Sequence, residues 1–158
     1  MSIIFSGKEL LEIAIQIEKN GAAFYGKAAT KVSDGKAREL IVWLAGEEKN
    51  HIKRFQGILS RFSTGDSDLS PAEVEEYTLY LKALADARVF TTELKAEEAA
   101  LEIKSEKDAI DMAIEFEKDS ILFLQGMKPL INKGDIAAVD ELVREEMLHL
   151  KKLVELKR

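Results

Sequence analysis

Several residue types are missing or scarce in this 158-residue sequence, and each absence excludes a class of protein. There is no cysteine, which excludes disulfides, thiolate nucleophiles and iron–sulfur clusters. Only two residues are proline and 7% are aromatic, whereas Ala, Glu, Lys and Leu are abundant, which favours helices over a sheet. No apolar run approaches the roughly 20 residues of a membrane span. The predicted fold class is all-α.

Charge and length narrow the function classes further. The net charge is −6, both signs are interspersed and no block is strongly basic, so nucleic acid is not an expected partner. The segment from Met1 to Phe5 has a short apolar run without a basic flank, unlike a secretory signal. We therefore expect a cytoplasmic protein with no membrane partner. Residues 1–158 are expected to form a single domain.

Apolar periodicity and capping signals predict four main helices. The run from Ser6 to Glu9 reads as a capping box, as does the run from Ser70 to Glu73, which contains Pro71. The main helices are expected at about 6–32, 36–61, 105–129 and 135 to the C-terminus. A short break joins the first and second helices into one antiparallel hairpin, and another joins the third and fourth into a second hairpin.

The connection between the two hairpins is long and partly helical. The polar stretch 63–70 is expected to be a loop, and 71–88 a connector helix. In the stretch 89–104 the sequence gives the weakest signal, although Thr91 or Thr92 could cap another short helix through Glu97 and Glu98. Such a connection would let the second and third main helices cross the bundle.

A four-residue pattern occurs twice and organises the chain. The sequence has two histidines, His51 and His149. Each stands three residues after a glutamate, Glu48 and Glu146 respectively. On a helix this spacing places carboxylate and imidazole on one face. The two halves also align at Ile17-Glu18-Lys19-Asn20 and Phe116-Glu117-Lys118-Asp119, which indicates a pseudo-twofold arrangement of two hairpins.

Four of the glutamates interrupt apolar helix stripes and are therefore expected to point inward. They are Glu18, Glu48, Glu117 and Glu146. Glu115, by contrast, shares its face with charged residues and is expected to be solvated. Glu47 and Glu145 lie on mixed faces and are at most neighbours of the inward set.

Buried carboxylates must be paired, neutralised or bound to metal. Two divalent cations would balance the four negative charges, and His51 and His149 could complete the shell as neutral nitrogen ligands. Carboxylate and imidazole without thiolate suit iron or manganese and can also hold zinc. The pattern therefore predicts a two-cation centre inside the bundle.

With these residues in place, the chain resembles the ferritin-like diiron-carboxylate proteins, specifically a rubrerythrin-type four-helix domain, over essentially its whole length. The run Glu48-Lys49-Asn50-His51-Ile52-Lys53-Arg54-Phe55 is similar to the second-helix motif of rubrerythrins. The resemblance implies a ferritin-like bundle of two antiparallel hairpins with two iron ions. By this resemblance, the six side chains that bind the iron ions are those of Glu18, Glu48, His51, Glu117, Glu146 and His149.

The resemblance also implies a function, with two departures. It implies a non-haem diiron oxidoreductase that reduces hydrogen peroxide or dioxygen in oxidative stress, and a homodimer. The four-cysteine rubredoxin-like domain of rubrerythrins is absent, so an external electron donor is needed. Rubrerythrins also carry a glutamate three residues after the third-helix ligand, where this chain has Ser120, so the site is expected to be the six-ligand version, closer to bacterioferritin.

Two other functions stay open at this point. The same ligands could oxidise ferrous iron for storage or detoxification, as a ferroxidase does. Alternatively, the chain could be a helical interaction module in which the metal, for instance zinc, is only structural. A ferroxidase predicts repeated turnover of added iron, whereas a structural module predicts a colourless protein without redox response.

Aromatic residues near the pattern have less specific interpretations. Tyr25 lies two turns beyond Glu18, and packing is the preferred reading over a hydrogen bond to a ligand carboxylate or electron relay. The remaining aromatic residues of interest are expected in the core. They are Trp43, Phe55, Phe116 and Phe123.

Overall fold

Six α-helices dominate the structure, a computed structural model that describes residues 5–33, 35–62, 68–87 and 91–157. They are α1 (Gly7–Ala28), α2 (Lys36–Ser60), α3 (Pro71–Asp86), α4 (Glu93–Leu101), α5 (Glu106–Met127) and α6 (Ile136–Lys157). Two 3-10 turns, Lys128–Leu130 and Lys133–Asp135, join α5 to α6. No strand occurs in the described ranges, so the predicted all-α class is confirmed. None of the helices described is both long and apolar enough to cross a bilayer.

Both predicted capping boxes are present. At the start of α1, Glu9 N donates to Ser6 Oγ at 3.1 Å, and Ser6 N donates back to the Glu9 carboxylate at 3.0 Å. At the start of α3, Ser70 and Glu73 form the same reciprocal pair, with Pro71 at the first helical position. These caps satisfy backbone donors that the first helical turn leaves without partners.

The first hairpin turn differs slightly from the prediction. Helix α1 ends at Ala28 rather than near Val32. The Thr30 hydroxyl donates to the Lys27 carbonyl at 2.6 Å, a local bond that competes with continuation of the helix. Gly35 then takes φ +126°, a conformation that favours glycine, and α2 begins at the next residue as expected. Asp34, the other half of the expected break, lies outside the described residues.

The crossover contains two helices. Thr92, one of the two expected caps, accepts a hydrogen bond from Lys95 N at 3.2 Å and begins α4. Helix α3 packs against α5, and α4 packs against α1. The expected loop falls largely on 63–67 and the end of the connector helix on 88–90, both outside the described residues.

The four long helices form a bundle of two hairpins. Helices α1 and α2 pack together, as do α5 and α6, while α1 also contacts α5 and α2 contacts α6. Apolar side chains from all four fill the interior, including Phe55, Phe116 and Phe123, which were predicted there. The core closes around a polar centre, where α1, α2, α5 and α6 all contribute side chains.

Candidate metal centre

All six side chains expected to bind metal lie inside the bundle. Each of the four glutamates has 0% of its surface exposed; His51 is 0% and His149 1% exposed. Helix α1 supplies Glu18, α5 supplies Glu117, and α2 and α6 each supply one Glu and one His three residues later. The burial follows from the apolar stripe that flanks each glutamate on its helix.

The two imidazole rings lie side by side among the carboxylates. Their planes are 9° apart and their centroids 5.4 Å apart. His51 Nδ1 lies 2.9 Å from Glu146 Oε1 and 3.4 Å from Glu18 Oε2. His149 Nδ1 lies 3.1 Å from Glu146 Oε2 and 3.7 Å from Glu117 Oε2. Both rings therefore turn Nδ1 towards the same carboxylate cluster.

The cluster divides into two groups of four residues that share two members. Within each group, one oxygen or nitrogen atom of every residue lies within 4.8 Å of the others. The first group is Glu18, Glu48, His51 and Glu146, and the second is Glu48, Glu117, Glu146 and His149. Glu48 and Glu146 belong to both. Two sites with two shared carboxylates are the arrangement expected of bridging ligands.

Comparison with known proteins agrees with this geometry. The sequence profile described as Rubrerythrin matches residues 9–157. The chain belongs to the rubrerythrin family. A search of curated proteins gave no match.

A solved structure of another protein is similar to this rubrerythrin-family chain. It is a candidate ferritin-like diiron-carboxylate protein from Thermotoga maritima, with a TM-score of 0.65 and 23% sequence identity. The match covers 98% of this chain and 96% of that one. The predicted ferritin-like fold is therefore confirmed.

The residues present in this rubrerythrin-family site fit a metal pair. Within the part of the chain that the structure describes, both carboxylate oxygens of Glu18 and both of Glu48 are buried without a hydrogen bond, as is Oε2 of Glu117. Such oxygens are costly unless a cation balances them. The donor set of carboxylate oxygens and imidazole nitrogens, without sulfur, suits iron or manganese.

Burial and mutual repulsion shift the pKa values of the cluster, and four of the six groups favour the protonated form. Burial, then repulsion from Glu18, raises the pKa of Glu48 well above its ordinary value. Burial and the charge of Glu146 raise the pKa of Glu117 to about 8. Burial alone would lower the pKa of His51, but the hydrogen bond to Glu146 and the nearby Glu18 carboxylate outweigh burial and raise the pKa to about 11. For His149, the nearby Glu117 carboxylate and the hydrogen bond to Glu146 likewise overcome burial and raise the pKa to about 9.

Tyr25 contributes more than the packing that its sequence position suggested. Its ring does pack, edge-on against Phe116 with centroids 5.9 Å apart. However, its hydroxyl also donates to Glu117 Oε1 at 2.5 Å. Burial and the neighbouring Glu117 charge raise the pKa of Tyr25, so the phenol keeps its proton. Helical spacing put Tyr25 on the Glu18 stripe, but only the approach of α5 shows that its partner is Glu117.

Glu145 was expected at most beside the ligand set, and it lies directly outside His51. Its Oε2 is 2.8 Å from His51 Nε2, and its Oε1 accepts from Arg54 Nη1 at 2.6 Å. Burial would raise the pKa of Glu145, but these partners lower it, so the group is ionised. A carboxylate on the outer nitrogen of an imidazole fixes the ring orientation and leaves Nδ1 for a metal.

The prediction that Trp43 is a core residue is wrong. Its side chain is 40% exposed, because it lies at the outer edge of the contact between α2 and α6. Its ring stands edge-on to His149 with centroids 5.2 Å apart, and Lys152 Nζ lies 5.4 Å from the ring centroid. Trp43 therefore covers the outer side of His149 rather than filling the interior.

Proposed function

We propose that the chain is a diiron oxidoreductase that reduces hydrogen peroxide or dioxygen. The observation that carries the proposal is the pair of buried four-residue groups that share Glu48 and Glu146. Glu18 and His51 would hold one iron, Glu117 and His149 the other, and the shared carboxylates would contact both. These are the same six ligands that the family resemblance implies, and metal binding tests them.

The side chains prepare the site in three ways. The six ligands are sealed from water, which strengthens every charge interaction among them. Glu145 orients His51, and the Tyr25 hydroxyl holds a proton against Glu117 Oε1. Two bound irons would supply the two electrons that peroxide reduction needs, which no side chain here can donate.

Electrons must then return from outside the chain. The sequence has no cysteine and so carries no thiolate-bound iron of its own to donate them. We propose a separate electron donor, and a homodimeric protein in the cytoplasm that responds to oxidative stress. Gel filtration and analytical ultracentrifugation test the dimer.

Anaerobic loading with ferrous ion tests the function. We expect two irons per chain, and one equivalent of hydrogen peroxide consumed for each pair of irons oxidised. The Glu117→Gln variant should lose at least one iron, because the amide cannot balance a cation. Glu115→Gln is the matched control on the same helix, since Glu115 is exposed and forms an ion pair with Lys118 at 3.3 Å.

The outcome also separates the alternatives. Fewer than two metals per chain would overturn the proposal. Continued turnover of added ferrous ion would identify an iron-handling protein. Two bound metals without any response to peroxide or dioxygen would identify a helical module with a structural metal.

A further inference from the structure

Two sides of the bundle around the carboxylate cluster differ in chemistry. On the α1–α5 side, Gly21 approaches Phe116 so closely that a Cβ on Gly21 would lie 2.6 Å from Phe116 Cζ. Tyr25 packs on the same ring, so this side is tight and largely apolar. On the α2–α6 side, the cluster is bounded by the two histidines, with the half-buried Glu47 and Glu145 beyond them. A hydrated cation therefore meets polar ligands on the α2–α6 side.

A third group of metal-ligating side chains lies on this polar side. One carboxylate oxygen of Glu47 and one ring nitrogen each of His51 and His149 are within 4.8 Å of one another. Glu145 is adjacent, 2.8 Å from the outward-facing Nε2 of His51. The polar side thus contains both histidines and two half-buried carboxylates, Glu47 and Glu145, which lie nearer the solvent than the histidines.

Glu47 is the carboxylate that is available to a cation. Arg54 Nη1 lies 2.6 Å from Glu145 Oε1 and neutralises that carboxylate. Among the described residues, the hydrogen-bond donor to Glu47 is the neutral amide of Asn50, at 3.3 Å. Trp43 and Arg54 lie one and two turns away from Glu47 on the same face of α2, and both contact α6, so Glu47 lies between them at the contact.

We propose that Glu47, together with one ring nitrogen each of His51 and His149, forms an outer site that takes up divalent cations and passes them inward. A cation held there could exchange its waters for histidine nitrogen before it reaches the buried carboxylates. The negative charge of Glu47 would also raise the local cation concentration. This inference rests on the proposed function, because it assumes that the buried cluster is the destination.

The rate of cation uptake tests the outer site, with Co²⁺ as the probe. Trp43 is the sole tryptophan and contacts His149, so its fluorescence should be quenched when Co²⁺ arrives. In stopped-flow mixing, Glu47→Gln is expected to slow this quenching about tenfold, because the steering charge is lost. The equilibrium affinity and the two Co²⁺ bound per chain should not change.

Two further variants make the comparison specific. Glu39→Gln removes the same charge from an exposed position on α2, two turns from Glu47, and should take up Co²⁺ at the wild-type rate. Glu47→Asp retains the carboxylate and should recover most of the lost rate. Circular dichroism would verify that each variant is folded.

The possible results are distinguishable. Equal uptake rates in Glu47→Gln and Glu39→Gln would overturn the outer site. It would also be overturned if the equilibrium affinity of Glu47→Gln fell as much as its uptake rate, because Glu47 would then support the final site. If the wild-type protein bound fewer than two Co²⁺, the proposed function itself would fail.

Discussion

At the scale of single residues, Tyr25 shows how one buried hydroxyl stabilises the carboxylate cluster. We expect Tyr25→Phe to lower the free energy of unfolding of the metal-free protein by about 1–3 kcal/mol, because Glu117 loses its buried donor. The phenyl ring keeps the packing against Phe116 and Phe24. Urea unfolding measures the change. Tyr77→Phe is the control, because the Tyr77 side chain is 36% exposed. An equal loss of unfolding free energy in both variants would contradict the explanation.

Gly21 permits the close approach of α1 to the site. A Cβ at this position would lie 2.6 Å from Phe116 Cζ and 2.9 Å from Glu48 Oε2. We expect Gly21→Ala to destabilise the fold by about 1–3 kcal/mol, because the buried ring and carboxylate must move. It should also weaken metal binding, which isothermal titration calorimetry measures.

The matched control for this change lies on the same helix. A Cβ at Gly26 would meet no atom within 4 Å among the described residues. Gly26→Ala is therefore expected to leave metal binding unchanged and to stabilise α1 by up to about 1 kcal/mol, since alanine favours helix. Destabilisation by both substitutions would show that the contact with Phe116 is not the cause.

At the scale of single helices, the start of α5 is set by one side chain. Ser105 Oγ accepts a hydrogen bond from Asp108 N at 3.1 Å and caps the helix that carries Glu117. We expect Ser105→Ala to lower the free energy of unfolding by about 1 kcal/mol, whereas Ser105→Asn should retain most of it. Thermal and urea unfolding measure both variants. Equal losses in the two would mean that the cap does not account for the effect.

The helices also explain why the two Glu-x-x-His patterns are useful only together. On α2 and α6, the spacing of three residues places carboxylate and imidazole on one face. Each pattern alone offers two candidate ligands, which is too few for the two four-residue groups observed. The remaining candidates come from α1 and α5, so the arrangement depends on how four helices pack.

At the scale of the whole molecule, stability and pH are linked through the cluster. In the metal-free protein, the pKa of His51 is raised from 6.5 to about 11 and that of Glu117 from 4.5 to about 8. The folded chain thus binds more protons than the unfolded chain. The contribution of His51 to the free energy of unfolding is complete below pH 6.5, and the contribution of Glu117 is complete below pH 4.5. Both contributions decrease as pH rises between 6.5 and 8.

Bound metal should reverse this dependence. Metal requires unprotonated ligands in the folded state, so the unfolded chain then binds more protons at acidic pH. We expect the urea midpoint to rise with pH between about 4.5 and 6.5 with saturating metal, and to fall between 6.5 and 8 with a chelator. Both series are measured from pH 4.5 to 8. If the urea midpoint changed with pH in the same way with metal and with chelator, the linkage between the cluster and stability would be contradicted.

The sequence by itself determined much of this protein. Two capping boxes placed the starts of α1 and α3, and apolar periodicity placed the four long helices, because these signals act within one or two turns. The same local logic identified Glu18, Glu48, Glu117 and Glu146 as inward, since a charge in an apolar stripe must be buried with the stripe. The repeat of the two halves then predicted the bundle.

Only the tertiary structure decided which side chains meet across helices. Local spacing could not show that Tyr25 binds Glu117, that Glu145 holds the outer nitrogen of His51, or that Trp43 lies outside the core. Each of these contacts joins residues about 90 or more positions apart, or depends on the rotation of α2 against α6. Helical periodicity fixes the face on which a residue lies, but the partner on that face depends on the packing of the whole bundle.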